Sequence, residues 1–282
     1  MSKTLLAVLA HPDDETFGMG GTLALYARKG VDVYLVCATR GEAGEMDPKY
    51  MAGFGSVAER RESELRCAAE LLGLKGVFFL NYRDSGMAGS PENNHPQALA
   101  AQPLDQVAAD VTRHIRRLRP QVVITFDPIG GYRHPDHIAM HRATLRAFEL
   151  AGDPSFALDG LEPFRPLKLY YHTIPHTILR LAVRVMPVFG QDPRRQGKNK
   201  DIDLVSITEV DFPVHARIDY RPVASLRDEA TACHASQGGG RLFSGPLAFL
   251  RRALGSYETY MRAFPQPAPR ERLERDLFAG IA

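Results

Sequence analysis

The feature that most restricts this chain is an alternation, repeated four times in its first 150 residues, of a short apolar run and an amphipathic stretch. The runs are Leu5-Leu6-Ala7-Val8-Leu9, Val31 to Ala38, Val77-Phe78-Phe79-Leu80 and Val122-Val123-Ile124-Thr125-Phe126. Runs this short read as strands, and strands with almost no polar alternation are covered on both faces. The stretches between them read as helices: Gly20 to Lys29 closed by Gly30, Ser56 to Leu72 ended by Gly73, Leu104 to Leu118 stopped at Pro120, and about Pro135 to Leu150. The alternation predicts an α/β chain: a Rossmann-like three-layer α/β/α sandwich around a mainly parallel sheet, joined by right-handed crossovers.

After Gly152 the pattern weakens. Leu167 to Ile174, Val205 to Val210, Val214 to Ile218 and Ser256 to Phe264 read as extended, and Pro222 to His234 as a helix. Thr177 to Lys200 mixes an apolar stretch with Pro187, Pro193 and a basic loop, and reads as a lid or an oligomer contact. The expectation is one domain over 1–282, with a catalytic core at 1–152 and a C-terminal extension at 153–282 that completes the pocket. At 282 residues and 44% apolar composition the chain can bury a core of that size.

A formal net charge of +2 gives no basis for nucleic acid or an acidic membrane surface as the main partner. The arginines at Arg113, Arg116, Arg117 and Arg119 read as a solvated helix face. Cys37, Cys67 and Cys233 are widely spaced, with no CxxC, and read as free thiols of a reducing compartment. No run of 18 apolar residues is present, and Thr4 to Ala10 is already strand-like, so the expected location is the cytoplasm.

In open parallel sheets, ligands bind outside the carboxyl ends of the strands. The first run delivers into Ala10-His11-Pro12-Asp13-Asp14-Glu15, and the fourth into Asp127 to His137. A strand order of 3-2-1-4 makes these runs neighbours and turns both clusters towards one crevice. One imidazole and three carboxylates within five residues are costly to bury without a cation. The second cluster adds His134 and His137. Two histidines and a carboxylate with an open coordination position form a catalytic zinc arrangement. Non-haem iron(II) uses the same donors, but zinc suits hydrolysis. Arg40, Glu42 and Glu45 follow the second run near the crevice, with Arg40 a candidate substrate contact. Gly18, Gly20 and Gly21 are spaced G-x-G-G, which is not the dinucleotide fingerprint. His141 lies four residues after His137, but Ile138 stands where a zinc-protease helix carries glutamate. His95, His114, His172, His176 and His215 have no partner at ligand spacing.

The segments AHPDDE at Ala10 to Glu15 and HPDH at His134 to His137 resemble the signature of the LmbE-like, or PIG-L, superfamily of metal-dependent N-acetylglucosaminyl deacetylases and related amidases. The likeness extends to Thr39-Arg40-Gly41-Glu42, to Arg61-Glu62-Ser63-Glu64-Leu65 with Leu72-Gly73, to Asp84, and to His234-Ala235-Ser236-Gln237. It implies that His11, Asp14 and His137 bind the metal and that Asp13 is the general base. His134 would stabilise the oxyanion and help to protonate the leaving amine, with Asp136 orienting and charging it. Tyr132 would lie beside the oxyanion, Arg61 and Asp84 would bond the sugar hydroxyls, and His234 would contact substrate. Arg133 stands where other members often carry a smaller residue. The implied activity is a Zn(II) hydrolase, with Fe(II) as the other ion, deacetylating an N-acetylglucosamine-containing small molecule. Precursors of low-molecular-weight thiols fit that class: the malate conjugate of bacillithiol or the inositol conjugate of mycothiol. No membrane partner is implied, and a homo-oligomer is, since the family often forms them. An amidase of thiol S-conjugates and a catalytically silent metal- or sugar-binding protein on the same fold remain open. An iron(II) oxygenase shares the donor set but is usually built on a β-barrel, against the alternation seen here.

Overall fold

Strand β1 (Thr4–Leu9) is buried at all six positions, as an apolar run without alternation requires. The computed structural model describes residues 2–174, 176–196, 203–239 and 256–281. Its further strands are β2 (Asp32–Cys37), β3 (Gly76–Phe79), β4 (Val122–Phe126), β5 (Lys168–Thr173), β6 (Ala216–Asp219) and β7 (Tyr257–Phe264). They form one seven-stranded sheet in the order β3-β2-β1-β4-β5-β7-β6. Strands β1 to β5 pair in parallel, while β7 is antiparallel to both β5 and β6. The mainly parallel sheet expected from the sequence is present. The register Leu5↔Val122 to Ala7↔Ile124 sets the carboxyl ends of β1 and β4 side by side.

The α-helices are α1 (Asp14–Arg28), α2 (Val57–Leu72), α3 (Leu104–Leu118), α4 (Gly130–Arg133), α5 (Pro135–Gly152), α6 (His176–Val185), α7 (Leu204–Thr208) and α8 (Ala224–Cys233). Helices α1, α2 and α8 pack together, as α3 packs with α5. Right-handed crossovers put these two groups on opposite faces of the sheet. Helix α2 has both ends written in its sequence. The Ser56 side chain accepts the Glu59 N–H, the Glu59 carboxylate accepts the Gly55 N–H, and Gly73 closes the helix at φ 74.

Four expectations need correction. Helix α1 starts at Asp14, not Gly20, and breaks at Met19 (φ −137). Beyond the break, the N–H groups of Gly21 and Thr22 donate to the buried Glu258 of β7 at 2.9 and 2.7 Å. A Cβ on Gly21 would stand 2.2 Å from the Tyr220 ring, so that glycine is what admits the contact. Second, Val205 to Val210 is not a strand. Asp203 accepts the N–H groups of Val205 and Ser206 and starts α7, a local cap that overrides β-branched propensity. Third, Arg116 is not on a solvated face. It is buried and donates to the carbonyls of Leu150, Ala151 and Asp153 at the end of α5. Finally, Cys67 and Cys233 form a disulfide, their Cα atoms 5.9 Å apart, and Cys37 alone is free and buried. The packing of α8 on α2 brings together cysteines 166 residues apart, which no spacing rule could reveal. The case for a reducing compartment goes with it. Among the described residues, no helix is long and apolar enough to cross a membrane. The Thr177 to Lys200 stretch contains α6 and a short turn at Met186–Phe189, and its residues 197–200 lie outside the described residues.

Closing so long a loop constrains the unfolded chain. Replacing both Cys67 and Cys233 by serine is therefore expected to lower stability by about 2–4 kcal/mol. Urea denaturation of the two proteins checks this, and coincident midpoints would refute the stabilising role of the bridge.

Candidate active site

The two motifs meet where β1 and β4 end. His11 leaves β1 nearly buried, at 4% exposure, and His137 lies in the first turn of α5 at 2%. His137 Nδ1 donates to the Gly130 carbonyl at 3.2 Å, and its ring stacks on Phe126 with centroids 4.0 Å apart. That tautomer leaves the lone pair on Nε2. His11 Nε2 faces Asp136 Oδ2 at 3.1 Å and Asp84 Oδ1 at 3.4 Å, so it carries a proton, and in the neutral ring the lone pair is on Nδ1. The two lone-pair nitrogens, His11 Nδ1 and His137 Nε2, stand 3.2 Å apart. They repel unless a proton or a metal cation lies between them.

Asp14 completes the arrangement. Its Oδ2 accepts the N–H groups of His11 and Ala10 at 2.7 and 3.2 Å and lies 3.7 Å from His11 Nδ1. Its Oδ1 lies 3.2 Å from His137 Nε2. Ligands about 2.0–2.1 Å from a tetrahedral ion stand about 3.3 Å apart, so this donor set fits such an ion. His134 also converges: ligand nitrogens of His11, His134 and His137 lie within 4.8 Å of one another. Asp14 approaches the histidine pair more closely than that limit and brings negative charge.

Asp13 stands between the motif and the opening with φ 121 and ψ −28, a conformation that costs a non-glycine residue about 1–3 kcal/mol. Several bonds hold it there. Its N–H donates to Glu15 Oε2 at 3.0 Å, and its carbonyl accepts from Thr16 and Phe17. Arg61, from α2, donates to Asp13 Oδ2 at 3.0 Å, to the Pro12 carbonyl at 2.6 Å and to the Gly41 carbonyl at 2.9 Å. A Cβ on Gly41 would lie 2.0 Å from Arg61 Nη1, so this position requires glycine. Gly41 lies four residues after β2 at φ 67, a conformation that favours glycine.

His134 Nδ1 accepts the Asp136 N–H at 3.2 Å, which leaves Nε2 as the N–H that can donate. The Asp136 carboxylate does not orient His134 as expected. It faces His11 and accepts the Ser85 N–H at 2.9 Å. What Asp136 gives His134 is its backbone N–H. Tyr132 presents its ring edge-on to His134 and His137, with centroids 5.8 and 5.0 Å away. The turn that carries it is shaped by Asp127, whose Oδ1 accepts the N–H groups of Ile129 and Gly131.

A crevice of about 530 Å³ opens over this cluster, lined by His11, Asp13, Arg61, Asp84, Tyr132 and His134. Residues 86–90, Glu45 and Gln237 form other parts of its wall. Asp84 accepts the Gly86 N–H at 2.8 Å besides facing His11. Two expected substrate contacts lie elsewhere. Arg40 is absent from the crevice wall; it donates to Glu62 at 2.6 Å and Asn81 at 2.7 Å, and stacks on Phe79. His234 is fully buried, with Nε2 2.6 Å from Glu15 Oε1. Arg133 turns towards α7, donating to the Ser206 carbonyl. His141 is buried and donates to the Phe126 carbonyl at 2.9 Å. His95, His114, His172 and His215 lie outside the convergent set, and the His176 side chain is outside the described residues.

Electrostatics separate the two adjacent aspartates. Burial pushes Asp13 up to about 6, against the pull of Arg61. Burial acts the same way on Asp14, but His137 and His11 outweigh it and hold its carboxyl well below the usual range. His134 is driven well below the ordinary imidazole value by burial and by its neighbours His11 and His137. Burial raises the Tyr132 hydroxyl well above its usual value, helped by Asp14 and Asp13.

A family model described as PIG-L, GlcNAc-PI de-N-acetylase, matches residues 6–148. A 1D-myo-inositol 2-acetamido-2-deoxy-alpha-D-glucopyranoside deacetylase of Geodermatophilus obscurus is 36% identical over 293 aligned positions, covering 99% of this chain and 98% of that protein. A protein of the same name from Acidothermus cellulolyticus is 38% identical, covering 100% and 96%. Among solved structures, the N,N'-diacetylchitobiose deacetylase from Pyrococcus horikoshii superposes with a TM-score of 0.61 at 24% identity, covering 93% of this chain and 84% of that one. At that identity the likeness concerns the fold.

The Gly41 contact generates a prediction. Gly41→Ala is expected to cost about 1–3 kcal/mol more than Gly53→Ala, since both sites have positive φ but only Gly41 has a neighbour in the way. Equal losses for the two variants in chemical denaturation would remove the packing argument.

Proposed function

The chain belongs to the GlcNAc-PI de-N-acetylase (PIG-L) family, and from that premise we propose that it is a metal-dependent hydrolase that deacetylates an N-acetylglucosaminyl inositol. The observation that carries this reading is the 3.2 Å approach of His11 Nδ1 and His137 Nε2 beside the Asp14 carboxylate. We assign His11, Asp14 and His137 as the metal ligands. Zinc is the proposed ion, and iron(II) takes the same donors. When bound, a zinc ion supplies a water of lowered pKa and polarises the acyl carbonyl without redox chemistry.

In this reading Asp13, on the crevice wall, takes a proton from the attacking water. The bonds of Arg61 to its carboxylate and to the Pro12 carbonyl keep it aimed. His134 Nε2–H donates to the oxyanion, and the proton that Asp13 took from the water goes on to the leaving amine, so that His134 stays neutral throughout. Asp136 fixes the His134 tautomer through its N–H and braces His11 through its carboxylate. Tyr132 closes the other side of the oxyanion position. Arg61 and Asp84, both on the wall, are assigned to the sugar hydroxyls. Gln237 reaches the same wall from the C-terminal part, which supports reading the chain as one domain. The names of the relatives favour the inositol conjugate over the malate conjugate.

The test is acetate release from both conjugates by metal-stripped protein, with and without added Zn(II) or Fe(II). Release from the inositol conjugate is expected only with metal, and Asp13→Ala should reduce it by about 10²–10⁴-fold. Undiminished release by metal-free protein or by Asp13→Ala would end this reading. His134→Ala is expected to lower kcat by about 10²–10³-fold with metal content unchanged. Loss of bound metal in that variant would instead make His134 a ligand.

A further inference from the structure

Besides the bonds that its carbonyl takes from the first turn of α1, Asp13 is gripped from two sides. Arg61 holds the side chain and the preceding carbonyl, while Glu15 accepts the Asp13 N–H. Glu15 is fully buried, and its other oxygen meets His234 Nε2 at 2.6 Å. His234 lies 219 residues further along the chain, just after α8, and is itself fully buried and off the crevice wall. We propose that His234 is a positioning residue for the reaction, acting through Glu15 on the peptide that aims Asp13. The inference rests on the assignment of Asp13 as the base.

The physical reason lies in what the Glu15 carboxylate would do without its imidazole partner. Bonded at both oxygens, it cannot rotate, and Oε2 stays on the Asp13 N–H. With Oε1 unpaired in a dry interior, Glu15 turns to find another donor and releases the Asp13 N–H. The Asp13 N–H then loses the bond that opposes relaxation from φ 121, and the Asp13 carboxylate shifts with its backbone. A displacement of about 1 Å in a reacting group costs on the order of 10²-fold in rate. The α2–α8 pair carries both grips: Arg61 is on α2, His234 follows α8, and the Cys67–Cys233 disulfide joins the two helices beside His234. The C-terminal part of the chain thus acts on the chemistry through the base as well as through the crevice wall.

The experiment compares His234→Ala, His234→Gln and His234→Asn in the metal-loaded enzyme, with 1D-myo-inositol 2-acetamido-2-deoxy-α-D-glucopyranoside as substrate. His234→Ala is expected to lower kcat about 10- to 100-fold, with KM within about two-fold and bound metal unchanged. His234→Gln, whose amide reaches Glu15 as Nε2 does, should recover most of kcat; the shorter His234→Asn should not. If His234→Ala fails to fold, the Gln and Asn variants still decide the matter. A raised KM at unchanged kcat would make His234 a substrate contact and overturn the proposal. Wild-type kcat per folded molecule in His234→Ala or His234→Asn would overturn it too. Asp13→Ala, run alongside, separates the two claims: activity there defeats the base assignment, whatever the His234 series does.

Discussion

Two imidazole nitrogens 3.2 Å apart in a buried place, which need a proton or a metal cation between them, are the constraint on which the rest of this molecule depends. Each ring is fixed from behind. The Gly130 carbonyl and the Phe126 ring set His137, and the carboxylates of Asp136 and Asp84 set His11. These supports come from two stretches of the sequence, Phe126 to Asp136 from the end of β4 and Asp84 after β3, and the parallel order β3-β2-β1-β4 brings them to one end of the sheet. A fold that loses the β1–β4 register loses the cluster.

Around that pair the structure divides labour between chemically identical groups. Asp13 and Asp14 are neighbours in sequence, yet one is held by an arginine at the crevice and the other by backbone N–H groups at the histidines. The result is one carboxyl poised near neutrality and one that stays ionised, the kind of split that acid–base chemistry needs from paired acids. The backbone of Asp13 is what keeps the two apart.

The sheet order and the convergence of the two motifs were legible because they follow from local pattern and a placement rule. Continuous apolar runs identify buried strands, and polar clusters at their ends then share a crevice. The misses share another character. Arg40 looked like a crevice residue until Glu62 on α2 and Asn81 beyond β3 claimed its guanidinium. His234 carried a resemblance but no spacing to Glu15, its partner 219 residues away. The disulfide, Gly21 against Tyr220 and Gly41 against Arg61 are likewise products of tertiary packing. The resemblance pairs the Asp136 carboxylate with His134, whereas the first turn of α5 aims that carboxylate across to His11 and only its N–H back at His134.

The bond between β7 and the broken helix α1 bears on how the chain reaches its final form. The motif that holds His11, Asp13 and Asp14 leads directly into α1, whose second half is capped by Glu258. On a ribosome, the first part of the site to emerge therefore waits for nearly the whole chain before its own helix is secured. The segment that carries the chemistry is written first and finished last. A nascent chain released early would bear the full signature and no completed site.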